Sequence, residues 1–163
     1  CGQPVTVFES GAILLYLAEK LGQLMPPSGP GRYRVLQWLM FQVSGLGPAL
    51  GQNRHFRVVA PERIEYAVGR YTAETRRLCR VLDTQLASTR FIAGDVYTLA
   101  DIAIFPGLRH AVRNGVDWAD YPRLKCWFDG VAARPAVYRA LEAATAATAP
   151  APAPAPAPQD FAA

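Results

Sequence analysis

Apolar residues recur at three- and four-residue spacing through most of this chain, and that helical period constrains the fold more than any other feature. Residues 10–21 carry Ile13, Leu14, Leu17 and Leu21 on one stripe, and Gly22 can close the helix in the left-handed region. Leu36, Leu39, Met40, Val43, Leu46 and Leu50 repeat the pattern, while Trp38 and Phe41 make the opposite side apolar too. A helix apolar on nearly every side is usually buried on both, so this one is expected between the core and a second subunit. Gly45, Gly47 and Pro48 predict a kink in it, because Pro48 has no amide donor and disfavours a helical Gly47. A longer helix is predicted over residues 62–86, opened by Pro61, with Ile64, Ala67, Val68, Tyr71, Leu78, Val81, Leu82 and Leu86 facing inward. Thr98-Leu99-Ala100-Asp101 has the form of a capping box, with Tyr97 and Ile102 where a hydrophobic staple would close. Two further helices are predicted over residues 121–133 and 136–147, separated by Arg134-Pro135.

One run, Val5-Thr6-Val7-Phe8, suits a strand, but it has nothing in the chain to pair with. The expected fold is therefore mainly α. The Pro- and Gly-rich residues 25–31 read as a linker and divide the chain into regions 1–24, 32–147 and 148–163. In the last region Ala and Pro alternate, which predicts an extended, solvated spacer.

A hydrophobic fraction of 51% excludes wholesale disorder, and no apolar run reaches the roughly 18 to 20 residues that would cross a bilayer. A soluble, cytoplasmic protein without a membrane association is the expectation. The net charge is +4, yet the arginines are interspersed with Glu62, Glu65, Glu74 and Asp83 and form no basic block interleaved with aromatics. That pattern argues against nucleic acid as a partner. Cys1, Cys79 and Cys126 are an odd number at wide separations, so buried or inert thiols in a reducing compartment are expected, with no metal implied.

Chemistry concentrates at the joint between residues 5–8 and the first helix. A helix amino terminus presents free amides and a partial positive charge that favour a carboxylate. Ser10 there can donate its hydroxyl and amide to such a carboxylate, while Glu9 offers a negative charge to an ammonium, so the pair could read an amino-acid zwitterion. The plainer alternative makes Ser10 an N-cap and Glu9 a surface charge matched to the helix dipole. Gln52 and Asn53 end the kinked helix, where they can line a cleft or act as caps. Arg70 can pair with Glu74 one turn away. His55 is a weak candidate for acid–base work, and Arg76, Arg77 and Arg80 read as a solvated face.

The stretch Val7-Phe8-Glu9-Ser10-Gly11-Ala12-Ile13-Leu14-Leu15-Tyr16-Leu17-Ala18-Glu19-Lys20 resembles the end of the glutathione-binding domain of glutathione transferases. The likeness continues through Leu36-Gln37-Trp38-Leu39-Met40 and Gly45-Leu46-Gly47-Pro48-Ala49-Leu50-Gly51-Gln52-Asn53-Arg54-His55-Phe56. It runs on through Glu65-Tyr66-Ala67-Val68-Gly69-Arg70-Tyr71 and Tyr97-Thr98-Leu99-Ala100-Asp101-Ile102-Ala103, covering about residues 2–141. Its flavour is similar to the bacterial Nu class, whose members bind a pair of glutathiones or glutathione disulfide and reduce disulfide bonds.

The resemblance implies a fold, a cofactor and roles. Residues 1–24 would be the last strand and helix of a thioredoxin-like glutathione-binding domain, residues 32–147 the C-terminal helical domain, and residues 148–163 a disordered tail. Because the sequence opens on Cys1, the earlier strands of that domain, with the residue that activates the glutathione sulfur, are expected to belong to a longer parent. Glu9 and Ser10 would hold the γ-glutamyl end of glutathione, and Arg70 would reach toward the glutathione sulfurs. Gln52 and Asn53 would line the same cleft. Arg54 departs from the class, which tends to carry a histidine there. The parent is expected to be a homodimer that reduces disulfides or transfers thiols; conjugation of glutathione to electrophiles, or a non-catalytic interaction module, are the alternatives. The chain alone, with no catalytic residue assigned, is expected to be inactive.

Overall fold

The computed structural model describes residues 5–148, and these contain seven α-helices. They fall into two units, one ending at Val131 and one beginning at Ala132. The turn expected at residues 1–4 and the Ala-Pro tail lie outside the described residues.

Helix α1 spans Ser10–Leu21 and stops where the Gly22 φ of 63° reverses the chain. The Gly22 amide bonds to the Glu19 carbonyl and the Gln23 amide to the Ala18 carbonyl, which fills two acceptors the helix end would orphan. Helix α2, Gly29–Phe41, begins two residues before the expected linker ends, because Pro30 has no amide to leave unsatisfied in a first turn. Val35, Trp38 and Leu39 make its buried face.

The expected kink is present as a wide π-turn over Gln42–Leu46, followed by α3 at Gly47–Arg54. Pro48 cannot donate to the carbonyl one turn back, and the ladder widens so that the Gly47 amide reaches the Gln42 carbonyl. A Cβ at Gly47 would lie 3.1 Å from that carbonyl oxygen, so the wide turn leaves little room for a side chain there. A second π-turn, His55–Val59, leads out of α3.

Helix α4, Glu65–Gln85, is the longest, and Val68, Thr75, Leu78, Cys79 and Leu82 turn inward. Ile64, expected inside, precedes the helix and is 49% exposed. Helix α5, Leu99–Leu108, buries Leu99, Ala100, Asp101, Ile104, Phe105 and Leu108, and packs against α1, α2 and α3. It is the central element, and the capping box at Thr98 and Asp101 starts it as the sequence predicts. Helix α6, Pro122–Ala132, presents Leu124, Trp127 and Val131 at core spacing. Helix α7, Pro135–Thr148, is the described part of the second unit, and Pro135 opens the helix it was expected to precede.

The strand expected at residues 5–8 does not form. Val5 and Phe8 are 69% and 79% exposed, and without a neighbouring strand their amides and carbonyls have no ladder to join. Among the described residues the β-structure is one bridge between Phe91 and Gly94. No described helix is long and apolar enough to cross a membrane.

Candidate functional site

Helix α1 begins on Ser10, and the cap position ahead of it belongs to Glu9. Glu9 holds φ at 69° and ψ at 121°, in the half of the map that favours glycine, a strain of about 1–3 kcal/mol. Its side chain makes no cap hydrogen bond, and Glu9 and Ser10 are both exposed. The Glu9 carbonyl takes the Ile13 amide at 2.9 Å. The amides of Ser10, Gly11 and Ala12 therefore have no helical acceptor, and they carry the positive end of the helix dipole. The simple N-cap role for Ser10 is not what the geometry holds, since Ser10 lies inside the helix.

Gly11 fixes this joint in place. Its buried Cα sits so close to the end of α2 that a Cβ would meet Val43 Cγ2 at 3.0 Å. The exposed Glu9-Ser10 turn is thus pinned on a buried support.

Arg70 lies on the exposed face of α4, in an open groove of about 800 Å³ lined by Glu65, Tyr66, Gly69, Arg70, Glu74 and Arg77 among others. The expected alternative paired Arg70 with Glu74, but Glu74 is taken by Arg77, whose Nε and Nη2 donate to its two oxygens at 2.9 and 2.8 Å. That fork holds the Glu74 carboxyl below the usual carboxylate range against a small opposing effect of burial; the charge of Arg70 adds the smallest pull. Glu65 is held low in the same way by hydrogen bonding to Arg63. Arg70 itself hydrogen-bonds to nothing among the described residues.

Gln52 and Asn53 are neighbours in α3 with opposite environments. Gln52 is exposed and free to meet a ligand. Asn53 is 0% exposed, and this corrects its expected place in a cleft. Its Nδ2 donates to the Asn114 carbonyl at 2.7 Å and to Thr75 Oγ1 at 3.1 Å, and its Oδ1 accepts from Thr72 Oγ1 at 3.2 Å. The amide is used up tying α3 to α4 and to the loop after α5. Thr72, Thr75 and Asn114 carried no sequence signal for this network, because its members lie 19 to 61 residues from Asn53. Asn53 places α3 against the turn of α4 that follows Arg70; no hydrogen bond joins Glu9 or Ser10 to Arg70, Gln52 or Asn53. His55 packs edge-on against Phe56, which stacks on Tyr71, and it has no acid–base partner among the described residues.

Cys79 is buried as expected, and burial pushes its thiol up to about 12, which keeps it protonated and inert. Cys126, in contrast, is exposed on α6. Tyr121 is buried, its hydroxyl donates to the Arg76 carbonyl at 3.2 Å, and burial raises its pKa. Arg80, read from sequence as solvated, lies over the Tyr121 ring at 5.7 Å from the ring centre.

The family model described as "Glutathione S-transferase, C-terminal domain" matches residues 49–135. The disulfide-bond oxidoreductase YfcG of Escherichia coli is 47% identical over 140 residues, which cover 86% of this chain and 65% of that protein. YghU of the same organism, also a disulfide-bond oxidoreductase, is 46% identical over 144 residues, 83% of this chain and 50% of that protein. The chain thus spans between half and two thirds of these relatives. A glutathione transferase from Burkholderia graminis, crystallised with two glutathione molecules per subunit, superposes with a TM-score of 0.83 at 42% identity, over 86% of this chain and 62% of that one. The chain belongs to the glutathione S-transferase C-terminal domain family.

Proposed function

We propose that this chain is the C-terminal part of a glutathione-dependent enzyme that reduces disulfides, with Glu9 and Ser10 holding the γ-glutamyl end of glutathione. The observation that carries the proposal is the α1 terminus: exposed, uncapped, and preceded by an acid held at a positive φ. Ser10 and the first amides fit a carboxylate, and the Glu9 charge fits the ammonium beside it. The relatives named disulfide-bond oxidoreductases support the reaction class. Residues 1–24 then belong to the glutathione-binding domain and residues 32–147 to the helical one.

The chemistry is thiol–disulfide exchange. A glutathione thiolate attacks one sulfur of the substrate disulfide, forms a mixed disulfide, and expels the other half as a thiolate that takes a proton from water. A second glutathione thiolate attacks the glutathione sulfur of the mixed disulfide, giving glutathione disulfide and the second thiol. Arg70, which hydrogen-bonds to no carboxylate among the described residues, contributes a cation that favours thiolate over thiol. Gln52 is an exposed polar contact for the tripeptide. A homodimer through α2 is part of the proposal, supported by Met40, which stays 47% exposed opposite a buried face.

The test is a calorimetric titration of glutathione into this chain fused behind a thioredoxin-like half. Replacing Glu9 and Ser10 together by alanine is expected to weaken binding about tenfold or more, the scale of one or two charge-assisted hydrogen bonds. Unchanged heats would refute the assignment. The chain without that half is expected to show negligible disulfide reductase turnover.

A further inference from the structure

Two arginines from different elements converge on one turn of the chain. Gly115 closes the turn at residues 109–115 with φ at 74°, and a Cβ there would meet the Arg57 guanidinium, with Cζ, Nη2 and Nη1 at 2.9, 3.0 and 3.1 Å. The near-equal distances set that guanidinium face-on to the Gly115 Cα. Arg76, on α4, donates through Nη2 to the Gly115 carbonyl at 3.4 Å. Neutral oxygens hold both side chains. Arg57 Nη1 donates to Thr72 Oγ1 at 3.3 Å, and the Thr72 hydroxyl donates in turn to the buried Asn53, which grips the turn at the Asn114 carbonyl. Among the described residues no carboxylate comes within ion-pair distance of either arginine. Asp117, two residues beyond Gly115, turns one oxygen to the Ala119 amide. Arg109 and Arg113 are exposed on the same turn and add to its positive potential.

We propose that Arg57 and Arg76 together bind a phosphate group at the Gly115 turn. A guanidinium has five N–H donors, and each of these two gives only one to the protein, so the rest remain for a ligand. Because the acceptors that anchor them are neutral, both cations keep their attraction for an anion, unlike Arg77 in its pair with Glu74. Phosphate suits the pair better than a carboxylate does. Its tetrahedral oxygens can accept from two guanidiniums at once, whereas the two oxygens of a carboxylate are filled by a single fork. Gly115 serves the site twice: its φ would strain a side chain, and its missing Cβ makes room for the Arg57 guanidinium. The ligand is therefore a phosphate dianion or a phosphomonoester. The site shares no residue with Glu9, Ser10, Gln52 and Arg70, and it stands or falls apart from the glutathione reading.

The test uses the chain as it stands, labelled with nitrogen-15, and inorganic phosphate as the probe. Ionic strength is held constant so that general screening does not change during the titration. Phosphate is expected to shift the amides of residues 113–116 and the Nε–H signals of Arg57 and Arg76, and to saturate; acetate is expected to do neither. Arg57→Gln and Arg76→Gln should each weaken phosphate about three- to fivefold, the scale of one exposed ion pair, and the double variant more than either. Arg57→Lys keeps the charge but not the planar fork, so its loss should be intermediate. Arg34→Gln, at an exposed arginine of α2, should leave phosphate binding unchanged. Thermal unfolding checks that each variant keeps the fold. Glycerol 3-phosphate and vesicles of phosphatidic acid present the same group: tighter binding of the first names a free small molecule as its source, and of the second a lipid headgroup. Equal shifts from acetate, a response that never saturates, or full phosphate affinity in the double variant would each overturn the proposal.

Discussion

Asp83 closes the amino terminus of α6 from across the bundle, accepting the Leu124 amide at 2.9 Å. The same oxygen takes the Arg123 amide at 2.9 Å, while the other meets the Arg123 guanidinium at 3.4 Å. A residue of α4 thus does for α6 what an N-cap side chain does within one helix. The two functions of the carboxylate can be separated. Asp83→Ala orphans the buried Leu124 amide and the half-buried Arg123 amide and is expected to cost about 2–4 kcal/mol. Asp83→Asn keeps an oxygen for both amides and loses only an ion pair whose arginine side chain is 57% exposed, which is worth under about 1 kcal/mol. Urea unfolding of both variants checks this, and equal losses would mean that charge rather than capping holds the contact.

Asp101 carries a heavier load. Its carboxylate is 0% exposed and accepts from the Thr98 amide at 2.9 Å, the Thr98 hydroxyl at 3.2 Å, the Ile92 amide at 3.0 Å and Trp127 Nε1 at 2.9 Å. It joins the start of α5 to the preceding loop and to α6. Asp101→Ala strands these donors in the core, at a cost on the order of 5 kcal/mol or more, comparable with the whole stability of a domain. The variant is expected to be insoluble or unfolded at room temperature by circular dichroism. Trp127→Phe removes one donor and keeps most of the packing, so it should fold with a loss of about 1–2 kcal/mol.

The contrast between these two acids shows what the sequence could express. The capping box was legible because Thr98 and Asp101 are three residues apart, within the reach of a local motif. Asp83 carried no sequence signal for its capping role, since its partners lie 40 and 41 residues away. Asn53 was misplaced for the same reason: a polar residue at a helix end reads as a cap or a cleft wall until the chain brings Thr72, Thr75 and Asn114 around it. The helices were legible because apolar periodicity is local and repeated, and the break at Pro48 because a missing donor acts on its own turn. Residues 5–8 had strand composition, but strand formation depends on a partner that composition does not contain.

The two cysteines of the described residues should separate in reactivity. Cys126 is exposed, and alkylation of the folded chain with iodoacetamide should mark its peptide first. Cys79 should be marked only once denaturant opens the core, as peptide mapping would report. Burial also ties Cys79 to alkaline stability. Its folded pKa of about 12 lies above the ordinary thiol value of 9.0, so the stabilisation is fully present below pH 9 and is lost as the pH rises toward 12. Over that window the unfolded chain releases a proton that the folded one retains, with an upper bound of about 4 kcal/mol. Cys79→Ala should be less stable at neutral pH, because a buried sulfur is removed, and should show a shallower decline between pH 9 and 11. An unchanged decline would place the alkaline sensitivity elsewhere.

Glu9 sets stability against function within one residue. A glycine there, having no Cβ, would hold φ 69° and ψ 121° at less cost than glutamate does. Glu9→Gly is therefore expected to stabilise the chain by about 0.5–1 kcal/mol, the relief of strain being partly offset by the greater freedom of an unfolded glycine. Glu9→Ala keeps a Cβ in the same strained position and should leave stability within about 0.5 kcal/mol of the parent. Both substitutions remove the charge that meets an ammonium, so both should weaken glutathione binding by a similar factor in the fused protein. Thermal unfolding reads the first effect and calorimetry the second. A glycine variant that is no more stable than the alanine one would show that the turn is not strained. An alanine variant that binds glutathione as well as the parent would show that the strain, where present, does not serve this ligand.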